Sequence, residues 1–222
     1  MANGETVERI LRAATILFAE RGFSETSLRT ITGMADVNLA AVNYHFGTKK
    51  SLIQAVFSQF LTPFCKELDQ RLAQMESNLK AGQLPSVEQL LRILIASLTV
   101  SMESINEKPQ RFMRLLGLAY TQTQQHLRQH LAHHYGSSYN RYLGWLNKTL
   151  PHLDATVFYW RLNFILGAGI FTLGNFESIH AILKDDHHVD TDLDSALTYL
   201  VDALAGMLDS PVNSTPQQFT SL

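Results

Sequence analysis

Apolar residues recur every three to four positions along almost the whole chain, and no stretch keeps an alternation of apolar and polar side chains. This spacing is typical of amphipathic helices and argues against a sheet. Side chains that suit helix starts, such as Ser27, Thr48 and Ser86, precede several of these runs. The pattern therefore predicts an all-α fold of about nine helices.

Two short helices joined by a tight turn are predicted between residues 27 and 46. Ser27 can cap the first helix and Asn38 the second, while Asp36 and Asn38 suit the turn because their side chains bond local backbone groups. The second helix directs Leu39, Val42 and Phe46 inward and leaves a small polar face. Two short helices of this kind form a helix-turn-helix, which can enter the major groove of DNA.

The helix-turn-helix resembles that of the TetR family of transcriptional regulators. The matching positions are Leu28, Ile31, Ala35, Val37, Tyr44, His45, Phe46, Thr48, Lys49 and Leu52. The resemblance is specific because spacing and residue type agree across three helices. The aromatic residue that often precedes the Tyr-His-Phe run is Asn43 here, a departure that bears on base preference and not on the fold.

Length and resemblance together divide the chain into three parts. The 222 residues fit one small domain and one larger domain. We expect a DNA-binding domain over residues 1–50, a ligand-binding and dimerisation domain over 51–209, and a flexible tail over 210–222. A long helix from about residue 48 to 78 joins the two domains, and Pro63 inside it is expected to bend it.

Overall charge does not indicate a nucleic-acid partner, because the formal net charge is −2. Residues 1–50 carry six basic and five acidic side chains, and the remainder carries 12 against 15, so the two parts contribute +1 and −3. Affinity for DNA must therefore depend on where a few cations lie, chiefly Arg29, Lys49 and Lys50, and on helix N-termini.

Nine residues are expected to contact double-stranded operator DNA. Asn43 is the best candidate for a base contact, because an amide can pair bidentately with adenine. Tyr44 and His45 are expected to bond phosphate or touch a thymine methyl group. The remaining six lie on the second helix or at helix starts, where backbone N–H groups and cations can converge on phosphates: Ser27, Arg29, Asn38, Ala40, Thr48 and Lys49. An ordinary helical hairpin with a polar face is the alternative.

Two C-terminal helices, over about residues 154–173 and 191–208, are too apolar to bury only one side. Such helices belong either to a deep monomeric core or to an interface. The family resemblance implies a four-helix interface in a homodimer, which would place two recognition helices one helical turn apart on a palindromic site. The expected interface residues are Phe158, Gly167, Ile170, Leu197, Leu200 and Leu204.

The middle helices supply adaptable side chains that suit the lining of an effector pocket. Core packing explains each of them singly, but together they favour an apolar site, with Arg114 able to receive a carboxylate or phosphate. Such a site suits a fatty acid or an acyl thioester. The expected lining is Leu98, Met102, Phe112, Met113, Leu116, Tyr120, Trp145 and Phe164.

The segments ETVERI, VNLAAVNYHFGTKKSLIQAVFSQFL and the following PFC resemble the PsrA-type, fatty-acid-responsive members of the TetR family. This resemblance implies repression of fatty-acid degradation genes that long-chain fatty acids or acyl-CoA relieve. A regulator of efflux or stress genes that senses another hydrophobic molecule is the second hypothesis. A helical lipid-binding protein or an enzyme with an incidental helix-turn-helix is the third.

Other chemistry has little support in the sequence. His126, His130 and His134 fall on one helix face and two of them could share zinc, but the surrounding run is solvated and lacks a thiolate or glutamate. No glycine-rich phosphate loop, G-x-S-x-G or H-E-x-x-H motif is present, and Cys65 reads as a buried small residue. We therefore expect no metal, no cofactor and no catalysis.

The location expected from the sequence is the cytoplasm. The first ten residues lack the basic start and apolar core of a signal peptide. The most apolar stretch, residues 157–173, is interrupted by Arg161 and Asn163, so a membrane span is not expected. A single cysteine excludes an intramolecular disulfide and suits a reducing compartment.

Overall fold

The computed structural model describes residues 2–122 and 124–212, and every regular element in these ranges is an α-helix. The all-α prediction is confirmed. The described part contains ten helices: α1 (Ala2–Glu25), α2 (Leu28–Ala35), α3 (Leu39–Phe46), α4 (Lys49–Asn78), α5 (Val87–Ser104), α6 (Pro109–Thr121), α7 (Gln125–Thr149), α8 (Ala155–Gly174), α9 (Phe176–His187) and α10 (Leu193–Asp209).

The helix that the apolar pattern did not predict is α9. It follows α8 directly and runs into the acidic stretch that begins at Asp185, which the sequence analysis did not assign to a helix. None of its residues is buried, although Phe176, Ile179, Ile182 and Leu183 recur at helical spacing. The predicted tail over residues 210–222 is described only as far as residue 212, and the rest lies outside the described residues.

Helices α1, α2 and α3, with the first turns of α4, form a small head around a shared core. Ile10, Phe18, Ile31 and Val42 are buried at its centre. Phe23 packs edge-on against Phe18, with 5.4 Å between ring centroids, and lies 6.2 Å from the ring of Phe57 on α4. The apolar core therefore continues from the head into the long helix that leads out of it.

The body comprises the rest of α4 and helices α5 to α10. α4 packs against α5 and α7, α6 packs against α8, and α10 packs against α5 and α8. Phe60 of α4 stacks on Phe112 of α6 with 5.2 Å between ring centroids. α4 is continuous through Pro63. The predicted domain boundaries remain predictions.

A polar network joins α4 to α7 within the body. The Arg141 guanidinium donates to Oε2 of Glu76 at 2.6 Å and to Oδ1 of Asp69 at 3.2 Å. Trp145 donates its indole N–H to the same glutamate at 2.8 Å. These hydrogen bonds hold the pKa of Glu76 below its usual value, chiefly because Arg141 favours the carboxylate. The network fixes the register between the two helices.

The head meets the body where α1 approaches the end of α6. Gly22 interrupts α1 with φ 83° and ψ 168°, a conformation essentially restricted to glycine. A Cβ at this position would lie 2.8 Å from Nε2 of Gln122, which follows α6. Thr26 stabilises the same bend by donating its hydroxyl to the Gly22 carbonyl at 2.8 Å. Head and body therefore touch through a position that admits no side chain.

Candidate DNA-binding surface and effector region

Three capped helix starts organise the head. The Ser27 hydroxyl accepts the N–H of Thr30 at 3.0 Å, the Asn38 side chain accepts the N–H of Ala41 at 2.8 Å, and the Thr48 hydroxyl accepts that of Ser51 at 3.1 Å. The capping roles predicted for these residues are confirmed. Each start carries the positive end of a helix dipole, which favours a phosphate nearby.

Helix α3 presents a polar face beside a buried seam. Val42 is buried against the head, whereas Ala40 and Asn43 are exposed and Tyr44 is 79% exposed. His45 is half-buried, and its ring lies edge-on to that of Tyr44 at 5.0 Å. Within the described residues, neither the Asn43 amide nor the Tyr44 hydroxyl forms a hydrogen bond. Both polar groups are therefore free to meet a base or a phosphate.

The cations of the head differ in their surroundings. Arg29 is exposed and forms no ion pair in the part of the chain that the structure describes. Lys49 is half-buried, and its Nζ lies 3.5 Å from the carbonyl oxygen of Ser24. Burial lowers the pKa of Lys49, and Glu25 opposes that shift. Arg29 therefore carries an exposed charge that is unpaired among the described residues, whereas the ammonium of Lys49 is directed at the end of α1.

The nine residues expected around an effector have different surroundings in the described structure, and their assignment stays a prediction. Leu98, Met102 and Phe112 are buried in the core, and Met113 and Leu116 are half-buried against it. Tyr120 and Phe164 are exposed. Trp145 bonds Glu76, and the Arg114 guanidinium donates to the Gly174 carbonyl at 2.7 Å. Arg114 thus stabilises the C-terminus of α8 in this state. The sequence did not predict this contact, because helical spacing alone does not reveal which neighbour a cation meets.

Three tyrosines on different helices converge near the exposed end of this region. They are Tyr120 of α6, Tyr139 of α7 and Tyr159 of α8, of which only Tyr120 was predicted from the sequence. Burial raises the pKa of Tyr139, and the neighbouring Tyr120 and Tyr159 raise it further. Burial also raises the pKa of Tyr120, although both side chains are more than half exposed. The three phenols therefore lie near one another on an exposed part of the surface.

The predicted dimer residues fall mostly on the inner side of their helices. Phe158, Leu197, Leu200 and Leu204 are buried within the protomer, and Ile170 packs towards Gly117 of α6. Gly167 is exposed. The assignment of the four buried residues to an interface is corrected accordingly, because they are already covered by their own chain. α8 is apolar on nearly all sides, so its spacing did not distinguish the inner face from the outer one.

The outer faces of α8 and α10 carry the exposed aromatic side chains instead. Trp160 and Phe164 are more than half exposed and lie 5.9 Å apart, and Phe171 continues the same side of α8. Tyr199 of α10 is 66% exposed. α8 is also long and apolar enough, by length and composition alone, to cross a membrane. One such helix is weak evidence for a membrane span, and α8 packs against α6 and α10.

The histidines of α7 face α4. His130 Nε2 lies 3.1 Å from the hydroxyl of Ser58, and the rings of His130 and His134 are 4.2 Å apart. Burial lowers the pKa of His130, and the neighbouring histidines lower it further. Among the described residues, no group of three or more His, Cys, Asp or Glu side chains is arranged to hold a metal ion.

Both parts of the chain match known family models. Residues 10–56 match the model of bacterial regulatory proteins of the tetR family, and residues 86–207 match the tetracyclin repressor-like C-terminal domain. The second match alone covers more than half of the chain. The two matches fall on the head with the start of α4 and on most of the body.

Curated relatives resemble the N-terminal part. The chain is 34% identical over 79 residues to the probable HTH-type transcriptional regulator YttP of Bacillus subtilis, a stretch that spans 36% of this chain and 38% of that protein. It is 45% identical over 64 residues to the HTH-type transcriptional repressor Rv3405c of Mycobacterium tuberculosis, over 29% of this chain and 34% of that protein. The similarity therefore spans little more than a third of these relatives.

Solved structures resemble the whole chain. The hemolysin II regulator HlyIIR superposes with a TM-score of 0.58 at 20% identity, covering 91% of this chain and 98% of its own. The fatty acid degradation regulator FadR of Bacillus halodurans superposes with a TM-score of 0.56 at 17% identity, covering 95% and 97%. Identities this low show a shared fold. The two family models establish that this chain belongs to the TetR family of DNA-binding transcriptional regulators, which are not enzymes.

Proposed function

We propose that the chain is a homodimeric repressor of fatty-acid degradation genes. It binds a palindromic operator in the cytoplasm and leaves it when a long-chain fatty acid or acyl-CoA binds the body. The observation that carries the proposal is the aromatic outer face of α8 and α10. Through this face two copies of the chain can form a two-fold dimer. The face belongs to the body, whereas the polar face of α3 that would contact DNA belongs to the head.

The outer face has the character of an interface core. Trp160, Phe164 and Phe171 recur at the spacing of one side of a helix, and each is more than half exposed. Tyr199 on α10 adds a fourth exposed aromatic ring, next to a helix that packs against α8. Soluble monomers rarely expose a large continuous apolar patch, and aromatic residues are enriched where proteins meet. These features support a two-fold contact through α8 and α10.

A two-fold dimer gives the weakly charged head its affinity. Each head offers one exposed α3 and few free cations, so a single copy gains little from phosphate contacts alone. Two copies held by the body would present their α3 helices about 34 Å apart, which matches successive major grooves on one side of the DNA. The operator is then a palindrome whose half-sites are read chiefly by Asn43 and Tyr44.

Effector entry requires α6 and α8 to separate. The two helices are in close contact: a Cβ at Gly117 of α6 would lie 3.0 Å from Cγ2 of Ile170 on α8. Tyr120 lies one turn from Gly117 on α6, and its phenol can donate a hydrogen bond to a carboxylate or thioester oxygen. The buried residues Leu98, Met102 and Phe112 would surround an acyl chain once the helices part.

A displacement of α6 would reach the head directly. α6 ends beside Gly22 of α1 through Gln122, so an effector that shifts α6 changes the support of the head. α4 would tilt at the same time, with Pro63 as the position where its hydrogen bonding is interrupted. Coupling of about 1–3 kcal/mol would give partial derepression. Near-complete release needs about 5.5 kcal/mol, which two effectors per dimer can supply.

The choice of an acyl effector is supported by the apolar interior, by the exposed phenols of Tyr120, Tyr139 and Tyr159, and by a fold shared with a fatty acid degradation regulator. The fold is equally shared with a hemolysin II regulator, which supports the second candidate, a TetR-type regulator of other genes that senses another hydrophobic molecule. Both candidates predict an apolar effector for the same region of the body. They differ in the ligand that releases DNA.

Fluorescence anisotropy with labelled DNA from upstream of the chain's own gene tests the proposal. We expect oleate or oleoyl-CoA to release the DNA, whereas a matched non-acyl hydrophobic dye leaves it bound. Release by the dye and not by acyl ligands would overturn the acyl effector and favour the second candidate. Binding that no hydrophobic ligand changes would overturn effector control altogether.

A further inference from the structure

An open cleft of about 760 Å³ lies between the head and the start of α7. One wall comprises the end of α1 and the first turns of α4, and the other is the first turn and a half of α7. Its polar lining consists of Ser24, Lys49, Lys50, Gln124, Gln125, His126 and Gln129. Lys49 and Lys50 of this cleft are also expected above to meet DNA phosphates. The opposite wall, the start of α7, has no part in the DNA contacts or the effector site proposed above.

The lining carries positive charge and no carboxylate. Lys50 is exposed and has no ion pair or hydrogen bond among the described residues, and its charge acts on His126 across the cleft. Lys49 contacts the Ser24 carbonyl, and the charge of Glu25 raises the pKa of Lys49, against the effect of burial. The glutamines supply amide N–H donors. A cationic lining with neutral donors and no acid is complementary to an anion.

The N-terminus of α7 adds to the positive potential of this lining. α7 is 25 residues long, and its N-cap Gln124 makes no side-chain capping hydrogen bond. The Gln124 carbonyl accepts the N–H groups of Leu127 and Arg128, but no backbone acceptor among the described residues meets those of Gln125 and His126. The helix starts at Ser27 and Thr48 each have one N–H capped by a side chain, whereas α6 and α9, like α7, make no side-chain capping hydrogen bond within the described structure. The start of α7 remains open beside two lysines.

A buried polar atom without a partner lies on the same wall. Nε2 of His126 is inaccessible to solvent and forms no hydrogen bond within the described residues. Its own backbone carbonyl accepts a hydrogen bond from Gln54 of α4 at 3.2 Å, which ties this turn of α7 to the helix that carries the lysines. An anion next to Lys50 would offset the repulsion between that lysine and a protonated His126.

We propose that this cleft binds a phosphate-type anion, held by Lys49 and Lys50 on one side and by the open start of α7 on the other. The volume admits a pyrophosphate or a small phosphate ester as well as a single phosphate. Because its two walls belong to the head and to the body, the bound anion links them. The site is distinct from the effector region.

Calorimetry on the full, DNA-free chain tests the proposal, with inorganic pyrophosphate as the probe and ionic strength held constant by chloride. Lys50→Ala should weaken binding about tenfold, the loss of one charged contact. Gln125→Glu should abolish binding, because it places a carboxylate at the cleft, while negative charge at a helix start favours folding. Lys80→Ala removes an equal charge from the α4–α5 connection and should leave binding unchanged.

The location is tested by the ring resonances of His126, which should shift with pyrophosphate in the native chain and not in Gln125→Glu. Equal binding by the native chain and all three variants would overturn the proposal, as would the absence of binding by the native chain. If Lys50→Ala weakened operator binding while pyrophosphate did not bind without DNA, the cleft would contact the DNA backbone instead. That result would also overturn the proposal of a small anion.

Discussion

Arg9 of α1 holds the turn of the helix-turn-helix through Asp36. Its Nη2 donates to the Asp36 carbonyl at 2.6 Å and to Oδ2 of the same residue at 3.0 Å. Asp36 adopts φ 49° and ψ 53°, the left-handed conformation that ends α2. The first helix therefore fixes the residue that sets the angle between α2 and α3, and with it the direction in which α3 is presented.

Substitutions of Asp36 separate backbone strain from the ion pair. Asp36→Val should lower the free energy of unfolding by about 1–2 kcal/mol, because a β-branched residue is strained in the left-handed region. Asp36→Gly removes that strain and keeps the carbonyl that Arg9 contacts, so its stability should stay close to that of the native chain. The carboxylate is exposed, and exposed ion pairs contribute only about 0–1 kcal/mol. Urea unfolding followed by circular dichroism measures the free energy of unfolding of both variants. Equal decreases in Asp36→Val and Asp36→Gly would contradict the claim that backbone strain at position 36 is the cause.

Gly22 is predicted to be intolerant of any side chain. Gly22→Ala should lower the free energy of unfolding by about 1–3 kcal/mol, the range for a residue forced into this region. The added Cβ would also lie 2.8 Å from Gln122 Nε2. Combining it with Gln122→Ala removes the clash but not the strain, so the double variant should recover only part of the loss. Full recovery in urea unfolding would show that the clash alone matters.

A base contact by Asn43 and a phosphate contact by Arg29 predict different effects of their removal on DNA binding. Asn43→Ala should reduce discrimination at one base pair by about 1–3 kcal/mol while leaving affinity for unrelated DNA unchanged. Arg29→Ala should weaken binding to all sequences alike and reduce the slope of log affinity against log salt by about one unit. Anisotropy titrations at several salt concentrations measure both quantities. The docking of α3 would be contradicted if Asn43→Ala behaved in the same way as Arg29→Ala.

Stability should fall as the medium becomes mildly acidic because of the α7 histidines. Burial lowers the pKa of both His126 and His130 below the ordinary value of 6.5, and Lys50 and the other histidines lower these values further. The unfolded chain then takes up protons first, so the stability contribution is present above pH 6.5 and is lost as pH falls through 6.5 towards the folded-state values.

The variant that tests this pH dependence is His130→Gln, whose amide can retain the hydrogen bond with Ser58. Between about pH 7.5 and 5.5, its free energy of unfolding should fall less than that of the native chain. Asp190 and Asp192 do not interfere, because their lowered pKa values affect stability only at more acidic pH. An unchanged difference between variant and native chain across this range would contradict the prediction.

Local features of the head were accessible from the sequence, because they depend on neighbours in the chain. Ser27, Asn38 and Thr48 cap their helices as expected, since a capping side chain bonds a backbone group only three residues away. The periodicity also identified nine of the ten helices. It did not identify α9, whose residues are all at least partly exposed.

Features that depend on contacts between residues far apart in the chain could not be predicted from the sequence. Phe158 and Trp160 are two residues apart in one apolar helix, yet the first is buried in the protomer and the second is exposed. Spacing cannot decide between these sides when both are apolar. The partner of Arg114, a carbonyl 60 residues away, and the approach of Lys49 to α1 depend in the same way on the assembled fold.

The central claim is that two copies joined through α8 and α10 read one palindromic site. Sedimentation equilibrium of the chain with a labelled palindromic duplex tests it most directly, with Phe164→Glu as the interface variant and Leu84→Glu as a control at another exposed apolar position. We predict two chains per duplex for the native protein and the control, and a monomer that binds the palindrome no better than a half-site for Phe164→Glu. A single native chain on the duplex, bound equally well to palindrome and half-site, would contradict the claim.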